Sequence, residues 1–411
     1  MPQNWKTYKL GDLSKKIYSG GTPSTKRSDY YGGNIPWLNT KEVNFGIINE
    51  TAKYITEKGL TNSSAKWVPK NSVIIAMYGN TAGKSAVTNI PLTTNQACCN
   101  LIIDPDVADF RYVYYQVFND YLIIKDLANG GAQQNLNAGT IKNLELQLPP
   151  LPEQTAIASI LSTIDAKIEN NLAINKTLEE MAMALYKEWF VDFGPFQEGR
   201  FVESELGMIP EGWVVKSVYS TAKFINGASF KPKDFTEDTQ LGLPVIKIVE
   251  IKQGVTSQTK YSNKKLDEKY IINNNDILFP WSGNPHTSLG IHLWDKGEAL
   301  LNQHIFVVRV SNSDSKCYVF NMLKNLLPTF INLATHKQTT GLGHVTVSNL
   351  KELKIPVPNK EAINDYEKLA KPILDMIYSN QMKNQTLTNL RDTLLPKLIS
   401  GEVRLNEFAN T

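Results

Sequence analysis

The chain repeats itself in order, and this duplication constrains its fold more than any other feature. "PQNW" at 2–5 returns as "PEGW" at 210–213, "IPWLNTKEVNFG" at 35–46 as "LPVIKIVEIKQG" at 243–254, and "NSVIIAMYGN" at 71–80 as "NDILFPWSGN" at 275–284. "NQ" at 95–96 matches "NQ" at 302–303, and "IKNLELQLP" at 141–149 matches "LKELKIPVP" at 350–358. The offsets stay between 204 and 209, a drift that loop insertions produce. The sequence therefore predicts a tandem duplication.

Each half has the same internal plan. Short apolar runs ended by turn residues, and stretches that alternate polar and apolar residues, indicate a strand-rich module. After a proline-rich stop, "PPLPEQ" or "PVPNKE", the apolar period becomes helical. The predicted segments are a first module at 1–151, a first spacer helix at 152–192, a linker at 193–209, a second module at 210–358, a second spacer helix at 359–402 and a tail at 403–411.

The two helical segments carry matching heptads. The core positions run from Ile157 to Trp189 in the first copy and from Tyr366 to Leu398 in the second, and most of them are apolar. Such a repeat over more than four heptads indicates a coiled coil. Pro372 predicts a kink or restart in the second helix, and Pro396 predicts a bend or end in its last turn. The expected fold is α+β: a tandem duplication of two strand-rich modules, whose two long helices form an antiparallel coiled coil with pseudo-twofold symmetry.

Two asparagines interrupt the apolar stripe at the same place in each helix. Asn171 and Asn175 correspond to Asn380 and Asn384, both by an offset of 209. If the helices pair antiparallel around these residues, the amides face each other, and buried amides need hydrogen-bond partners. We interpret the four residues as fixing the register of the coil. The alternative is that they face solvent where the coil is splayed.

Charge and cysteine content narrow the class of protein. The net charge is only +3, but residues 1–151 carry 15 Lys and Arg against 11 Asp and Glu, and residues 210–358 carry 17 against 12. Two slightly basic modules are compatible with a polyanionic partner. The chain has no apolar run long enough for a membrane span, and its N-terminus lacks a signal-peptide core, so we expect a cytoplasmic protein. The three cysteines form neither a disulfide framework nor a metal-ligand spacing, and Cys98 and Cys99 are expected in a buried strand.

Several motifs suggest catalysis, but each is incomplete. Gly79, Gly83, Lys84 and Ser85 resemble a phosphate-binding loop, yet only three residues separate the glycines and the second half lacks the motif. "NIPW" at 34–37 resembles an amino-methyltransferase motif, but no glycine-rich cofactor loop accompanies it. A metal-dependent nuclease needs clustered carboxylates with a nearby lysine, and the sequence shows no such cluster. We therefore assign no catalytic residue and no metal ligand.

"LPPLPEQTAIASILSTIDAKI", "LYKEWFVDFGPF" and "LLPKLISGEV" together resemble the DNA-specificity subunit of type I restriction–modification systems. The resemblance covers essentially the whole chain. It implies that each module is a target-recognition domain for one half of a bipartite, asymmetric site in double-stranded DNA. It further implies a coiled-coil spacer and docking of two modification (methyltransferase) subunits. S-adenosylmethionine is then expected on those subunits, and ATP and magnesium on restriction (translocase and nuclease) subunits that join them, with no cofactor on this chain.

Polar loops at matching places in the two modules supply the candidate DNA contacts. Asn, Gln, Arg and Lys read base edges, and Lys, Arg and hydroxyl groups bind phosphates. In the first module the candidates are Lys26, Arg27, Tyr30, Asn39, Lys41, Asn80, Lys84, Gln133, Gln134 and Asn135. In the second they are Lys231, Lys233, Lys247, Asn284, His286, Lys337, Gln338 and His344. We predict that the set, taken together, lies on one face.

Three functions remain open from the sequence. The first is a non-catalytic DNA-recognition and assembly subunit, which the residues and the resemblance favour. The second is an enzyme in which a DNA methyltransferase is fused to the chain, although no cofactor loop supports it. The third is a structural coiled-coil adaptor that binds no specific DNA sequence.

Overall fold

A computed structural model describes residues 2, 4–128, 135–310, 315–336 and 342–405. The chain divides into two compact units, one made of residues 1–169 and 385–411 and the other of residues 170–384. Each unit therefore combines one strand-rich module with a stretch of both long helices. Within the described ranges, no helix is long and apolar enough to cross a membrane.

The first unit contains eleven strands and four short helices among its described residues, before the first long helix. The strands are β1 (Lys6–Lys9), β2 (Ser14–Ser19), β3 (Tyr31–Leu38), β4 (Ile47–Ile48), β5 (Tyr54–Ile55), β6 (Trp67–Val68), β7 (Val73–Ala76), β8 (Ser85–Thr88), β9 (Leu92–Thr94), β10 (Cys98–Ile103) and β11 (Glu145–Leu148). The helices are α1 (Glu57–Thr61), α2 (Phe110–Asn119), α3 (Tyr121–Leu127) and α4 (Ala138–Lys142).

These strands form three sheets. β1 pairs with β11, a five-stranded sheet has the order β2-β10-β7-β8-β4, and a four-stranded sheet has the order β5-β3-β9-β6. β7, "VIIA", is buried at every position because it lies between two strands and is covered on both faces. Cys98 and Cys99 are buried in β10, as expected, and burial raises the pKa of the Cys99 thiol to about 12. Both cysteines therefore serve core packing.

The second unit holds fourteen strands and five short helices among its described residues. The strands are β12 (Phe201–Ser204), β13 (Gly207–Pro210), β14 (Val214–Ser217), β15 (Lys223–Asn226), β16 (Leu243–Ile246), β17 (Tyr261–Ser262), β18 (Ile271–Ile272), β19 (Ile277–Pro280), β20 (Ser282–Gly283), β21 (His292–Leu293), β22 (Ala299–Leu301), β23 (Ile305–Arg309), β24 (Gly343–His344) and β25 (Lys354–Val357). The short helices are α6 (Ile248–Gln253), α7 (Pro285–Ser288), α8 (Lys316–Asn325), α9 (Leu327–His336) and α10 (Val347–Glu352).

Three sheets of the second unit match the three sheets of the first, with four strands described where the largest sheet of the first unit has five. β14 pairs with β25, and the two larger sheets have the orders β15-β23-β19-β21 and β17-β16-β22-β18. One parallel pair is also repeated: Trp37 of β3 faces Thr93 of β9, and Val245 of β16 faces Leu300 of β22. Because parallel pairing between such short strands is an uncommon arrangement, its recurrence at matching positions confirms the predicted tandem duplication.

Two helices of 40 residues each follow the modules. The first, α5, runs from Leu151 to Phe190 and the second, α11, from Lys360 to Ile399. We call these two the spacer helices, and each spans about 60 Å. The expected restart at Pro372 is wrong, because the second helix is continuous through that residue and through Pro396. Pro372 lies on the exposed face, where water can satisfy the carbonyl that loses its helical partner.

The spacer helices pair antiparallel within each unit. In the first unit, Glu153 forms an ion pair with Arg404 at 2.7 Å and Asp165 with Arg391 at 2.9 Å, so partner numbers fall as residue numbers rise. In the second unit the amides of Asn171 and Asn384 lie 2.7 Å apart, and the rings of Trp189 and Tyr366 lie 5.9 Å apart. The predicted direction of pairing is confirmed in both places.

Candidate nucleic-acid interface

Three strands of the first module end side by side and place their polar loops together. The backbone N–H of Gly21, after β2, donates to the carbonyl of Thr94 at 2.8 Å, and that of Asn95, after β9, donates to Leu38 at 3.0 Å. The indole Nε1 of Trp37 also donates to the carbonyl of Gly21 at 2.9 Å. We call residues 20–22, 39–41 and 95–96 the first strand-end edge. Trp37 is buried here, so "NIPW" builds this edge and does not form a catalytic motif.

The second module builds the same edge from residues 227–229, 247–248 and 302–303, which we call the second strand-end edge. The N–H of Ala228 donates to Leu301 at 2.8 Å, and that of Asn302 donates to Ile246 at 3.1 Å. These bonds match those of the first module. The carboxyl ends of parallel strands are common ligand-binding positions in proteins, so each edge is a candidate interface.

Asn39 and Lys247 occupy equivalent positions, each one residue after its parallel strand. The side chain of Asn39 accepts a hydrogen bond from the N–H of Lys41 at 3.1 Å and so caps a short turn, while Lys41 is exposed. The N–H of Lys247 donates to Glu250 at 3.0 Å, and its exposed ammonium lies 5.7 Å from the ring of Phe235. Lys41 and Lys247 therefore present charge at the two edges.

The loop before β3 contains a cation that already has a partner. The guanidinium of Arg27 forms two hydrogen bonds of 2.9 Å to Asp29, and Lys58 contacts the same carboxylate at 2.6 Å. Hydrogen bonds from Arg27 and Lys58 hold the pKa of Asp29 well below its usual range. Arg27 also lies over Tyr30, whose ring is buried. Of the predicted contacts in this loop, Lys26 is the one with an exposed side chain outside this cluster.

The loop after β7 is a turn and does not form a phosphate-binding loop. Gly79–Thr81 forms a single 3-10 turn, and Ser85 begins strand β8 where a phosphate-binding loop would begin a helix. Asn80 is exposed, but Lys84 is half-buried, donates to the side chain of Asn44 and lies 5.6 Å from the ring of Phe45. Burial, and then the charge of Lys125, lower the pKa of Lys84. Lys84 is thus less available to a phosphate than its sequence context indicates.

A backbone bridge brings two predicted loops together in each module. Tyr78 bridges Asn135, which is exposed, and Ser282 pairs with His344 between β20 and β24. The loop with Asn80 is therefore beside Asn135, and the loop with Asn284 is beside His344. The candidates Gln133, Gln134, Lys337 and Gln338 lie outside the described residues.

The remaining candidates of the second module are exposed. Lys231 and Lys233 precede Asp234, whose pKa is lowered by hydrogen bonds from the Lys231 N–H and from Lys264. Asn284 caps α7 by accepting from the N–H groups of His286 and Thr287. The side chains of His286 and His344 are exposed, and the His344 ring lies 5.8 Å from Trp281.

The sequence interpretation missed aromatic and amide groups beside these loops. Trp281 lies between His344 and His304, with ring distances of 5.8 and 5.9 Å, and its Nε1 donates to Asn226 at 2.9 Å. Phe230 and Phe235 stack at 6.0 Å beneath Lys264 and Lys247. The repeated "NQ" was the available signal for Gln96 and Gln303. Isolated aromatic residues gave no such signal.

The four register candidates are brought together in the second unit. Asn171 donates to Asn384 at 2.7 Å, Asn380 donates to Asn175 at 2.9 Å, and Asn175 donates to the carbonyl of Ile377 at 3.1 Å. Asn171, Asn175 and Asn380 are only 3%, 6% and 6% exposed. The amides therefore face each other inside the coil, and the proposal that they fix its register stays a prediction.

Nothing in the described residues assembles a metal centre: they contain no group of three or more His, Cys, Asp or Glu side chains suited to a metal ion. The chain is therefore a two-module protein: each module has a strand-end edge with polar loops beside it, and two antiparallel helices follow the modules. Comparison with known proteins identifies the class.

The type I restriction modification DNA specificity domain matches residues 2–180 and again residues 210–390. The chain belongs to this family and carries its domain twice. It is 30% identical to the type I restriction enzyme MjaIX specificity subunit of Methanocaldococcus jannaschii, over 99% of this chain and 95% of that protein. It is 22% identical to the HindI specificity subunit of Haemophilus influenzae, over 97% of this chain and all of that protein.

A solved structure has the same fold. The crystal structure of a type I restriction–modification S subunit from M. genitalium aligns with a TM-score of 0.57 at 17% identity, over 96% of each chain. The predicted resemblance is confirmed, and the two matched domains coincide with the duplication read from the sequence. Membership in a family of specificity subunits favours a non-catalytic role over the fused-methyltransferase alternative.

Proposed function

We propose that this chain is the DNA-specificity subunit of a type I restriction–modification system. Residues 1–151 read one half of a bipartite, asymmetric site in double-stranded DNA and residues 210–358 read the other. The spacer helices, proposed as segments 152–192 and 359–402 joined by the linker 193–209, set the distance between the half-sites. The duplicated strand-end edge carries the proposal, because two equivalent polar surfaces with different side chains suit two different half-sites.

The partners follow from the same proposal. Two modification subunits dock on this chain, bind S-adenosylmethionine and transfer the methyl group. Restriction subunits join them and use ATP with magnesium. The assembled complex is supported by the relatives, which are named as subunits of type I restriction enzymes.

The candidate contacts are ranked by their surroundings. Lys26, Lys41, Lys231, Lys233 and Lys247 have exposed ammonium groups suited to phosphates. Asn80, Asn135, Asn284, His286 and His344 lie on the bridged loops and suit base edges. Arg27 and Lys84 contribute less, because Asp29 and Asn44 already bind them.

A methylation map of host DNA, made with and without this chain, tests the proposal. We expect methylation at one bipartite motif that disappears when the chain is removed. Exchange of residues 1–151 for the same module of another specificity subunit then changes one half of the motif and leaves the other intact. Changes in both halves contradict the two-module assignment, and methyl transfer by the purified chain alone supports the fused-enzyme alternative. If the methylated motif does not depend on this chain, the structural-adaptor alternative is favoured.

A further inference from the structure

The repeated "NQ" pair forms the same turn at the end of the central parallel strand in both modules. The side-chain oxygen of Asn95 accepts from the N–H of Ala97 at 3.1 Å, and that of Asn302 accepts from the N–H of His304 at 3.4 Å. An Asn side chain that binds the backbone two residues later fixes a tight turn. Asn95 is buried, whereas the next residue, Gln96, is exposed. In the first module the Asn thus builds the turn and the Gln is presented at the surface, whereas in the second module Asn302 and Gln303 are both half-buried.

A glycine and a hydroxyl group complete this arrangement. A Cβ atom at Gly20 would overlap the carbonyl of Thr94, and one at Gly227 would overlap the carbonyl of Asn302, so each turn is approached closely by the neighbouring strand. The residue two positions after each glycine carries a hydroxyl group: Thr22 in the first module and Ser229 in the second.

The hydroxyl orients the amide in the first module. The Thr22 hydroxyl donates to the Oε1 atom of Gln96, which leaves the Nε2 group of Gln96 as an outward donor. In the second module, Ala228 bridges Asn302 in parallel, and the residues that follow these two, Ser229 and Gln303, correspond to Thr22 and Gln96 at the same offset of 207 residues. The Nε2 atom of Gln303 lies 3.4 Å from the ring of His304 and retains a second N–H.

The neighbours of this arrangement differ between the modules. Ala97 in the first corresponds to His304 in the second, and Asn39 corresponds to Lys247. Residues that discriminate between bases must differ where the half-sites differ. A hydroxyl and a primary amide that recur unchanged suit a component present in every half-site, and the sugar-phosphate backbone is that component.

We propose that Thr22 with Gln96, and Ser229 with Gln303, form one sequence-independent contact to the DNA backbone in each module. This inference rests on the proposed function. The donors are neutral, so they add affinity without displacing counterions. They therefore position a module on the duplex, while the charged and base-reading loops beside them supply salt dependence and sequence preference.

The test uses the full chain co-expressed with its modification subunits and a pool of randomised DNA duplexes from which bound sequences are selected. The variants are Q96A/Q303A and Q96E/Q303E. Gln240→Ala is the matched control, because Gln240 is an exposed glutamine before β16, at the opposite end of that strand from Lys247. Affinities are then measured on the selected duplex and on a scrambled duplex across a salt series.

We expect Q96A/Q303A to select the same motif as the unmodified chain. Both duplexes should bind on the order of tenfold more weakly, with an unchanged salt slope. Q96E/Q303E should bind more weakly still, because a carboxylate repels phosphate, and the control should bind normally. Loss of one motif position with intact scrambled binding would show base reading and overturn the inference, as would normal affinity for both duplexes. If the unmodified chain selects no motif, the proposed function itself fails.

Discussion

Replacement of a single coil amide should destabilise the protein, whereas replacement of its partner as well should restore it. Asn175 accepts from Asn380 at 2.9 Å and donates to Ile377 at 3.1 Å, and both asparagines are 6% exposed. Asn175→Leu removes both bonds and leaves the Asn380 amide buried without that acceptor. The effect on stability therefore depends on which residues change together.

The magnitude follows from three contributions. An unsatisfied buried donor costs about 2 kcal/mol, and the lost bond to Ile377 costs about 1 kcal/mol. Burial of the leucine side chain returns about 1.5 kcal/mol. Asn175→Leu should therefore destabilise the surrounding helices by roughly 1.5 kcal/mol. The pair Asn175→Leu and Asn380→Leu buries two leucines and leaves no orphaned amide between them, so its stability should be within about 1 kcal/mol of the original or higher.

Native-state hydrogen exchange of peptides from 170–190 and 370–384 measures this effect locally, which matters because a two-unit chain does not unfold in one step. We expect protection in these peptides to fall about tenfold in the single variant and to recover in the double variant. Asn170→Leu is the control, since Asn170 is exposed on the same helix and its replacement should change stability by less than about 0.5 kcal/mol. If the double variant loses as much hydrogen-exchange protection as the two single variants together, the proposed coupling is refuted.

The role of the amides in register requires a functional measurement. With Asn171, Asn175, Asn380 and Asn384 all changed to leucine, the coil has apolar contacts in place of directional bonds, and we expect a more stable coil that tolerates other registers. Binding to duplexes whose half-sites differ in separation by a single base pair should then discriminate less. Unchanged discrimination would mean that the amides are only internally satisfied polar groups.

Three further perturbations test separate features. Burial, and then the charges of Lys324 and Lys252, lower the pKa of His292 from 6.5 to about 4, so between these pH values the unfolded state binds more protons than the folded state. The free energy of unfolding, measured from denaturant midpoints, should therefore fall as the pH decreases through this range, by at most about 1.4 kcal/mol per pH unit. His292→Gln should remove this pH dependence. Asp29→Asn should release Arg27 and Lys58, tighten DNA binding and steepen the slope of log affinity against log salt concentration by about one. Asp365→Asn in the coil, which removes the partner of Lys368, should change neither. An unchanged slope in Asp29→Asn would place the loop away from DNA. One added turn in both spacer helices, about 5.4 Å, should lengthen the unspecified spacer by roughly one or two base pairs in a methylation map, and an unchanged spacer would show that the helices do not set it.

The repeat and the helices could be predicted because their signals are local and periodic. Each spacer helix displays its apolar stripe along one continuous segment, and the asparagine pairs recur at one offset. The expected restart at Pro372 is absent for a physical reason: the disruption caused by a proline depends on whether water reaches the freed carbonyl, and Pro372 lies on the exposed face of its helix.

The availability of some candidate DNA contacts could not be predicted, because it depends on residues distant in the chain. Asp29 is only two residues from Arg27, but it also binds Lys58, which is 29 residues away from Asp29, and Lys84 is bound to Asn44, which is 40 residues away. Composition identifies a basic loop, but it does not reveal which of its cations other side chains already bind. The charged residues were therefore found, and their availability was not.

The equivalence of Asn39 and Lys247 indicates how one frame can serve two half-sites. Both residues follow the same parallel strand, and in both turns a glutamate three residues later accepts from the backbone, Glu42 for Asn39 and Glu250 for Lys247. That shared bond fixes the backbone whatever the first side chain is. In the first module the side chain caps the turn, whereas in the second it extends as an exposed ammonium over Phe235. Because the turn is held by the glutamate and the strand pairing, the side chain at this position can change its chemistry without loss of the fold, which is what two modules with different targets require.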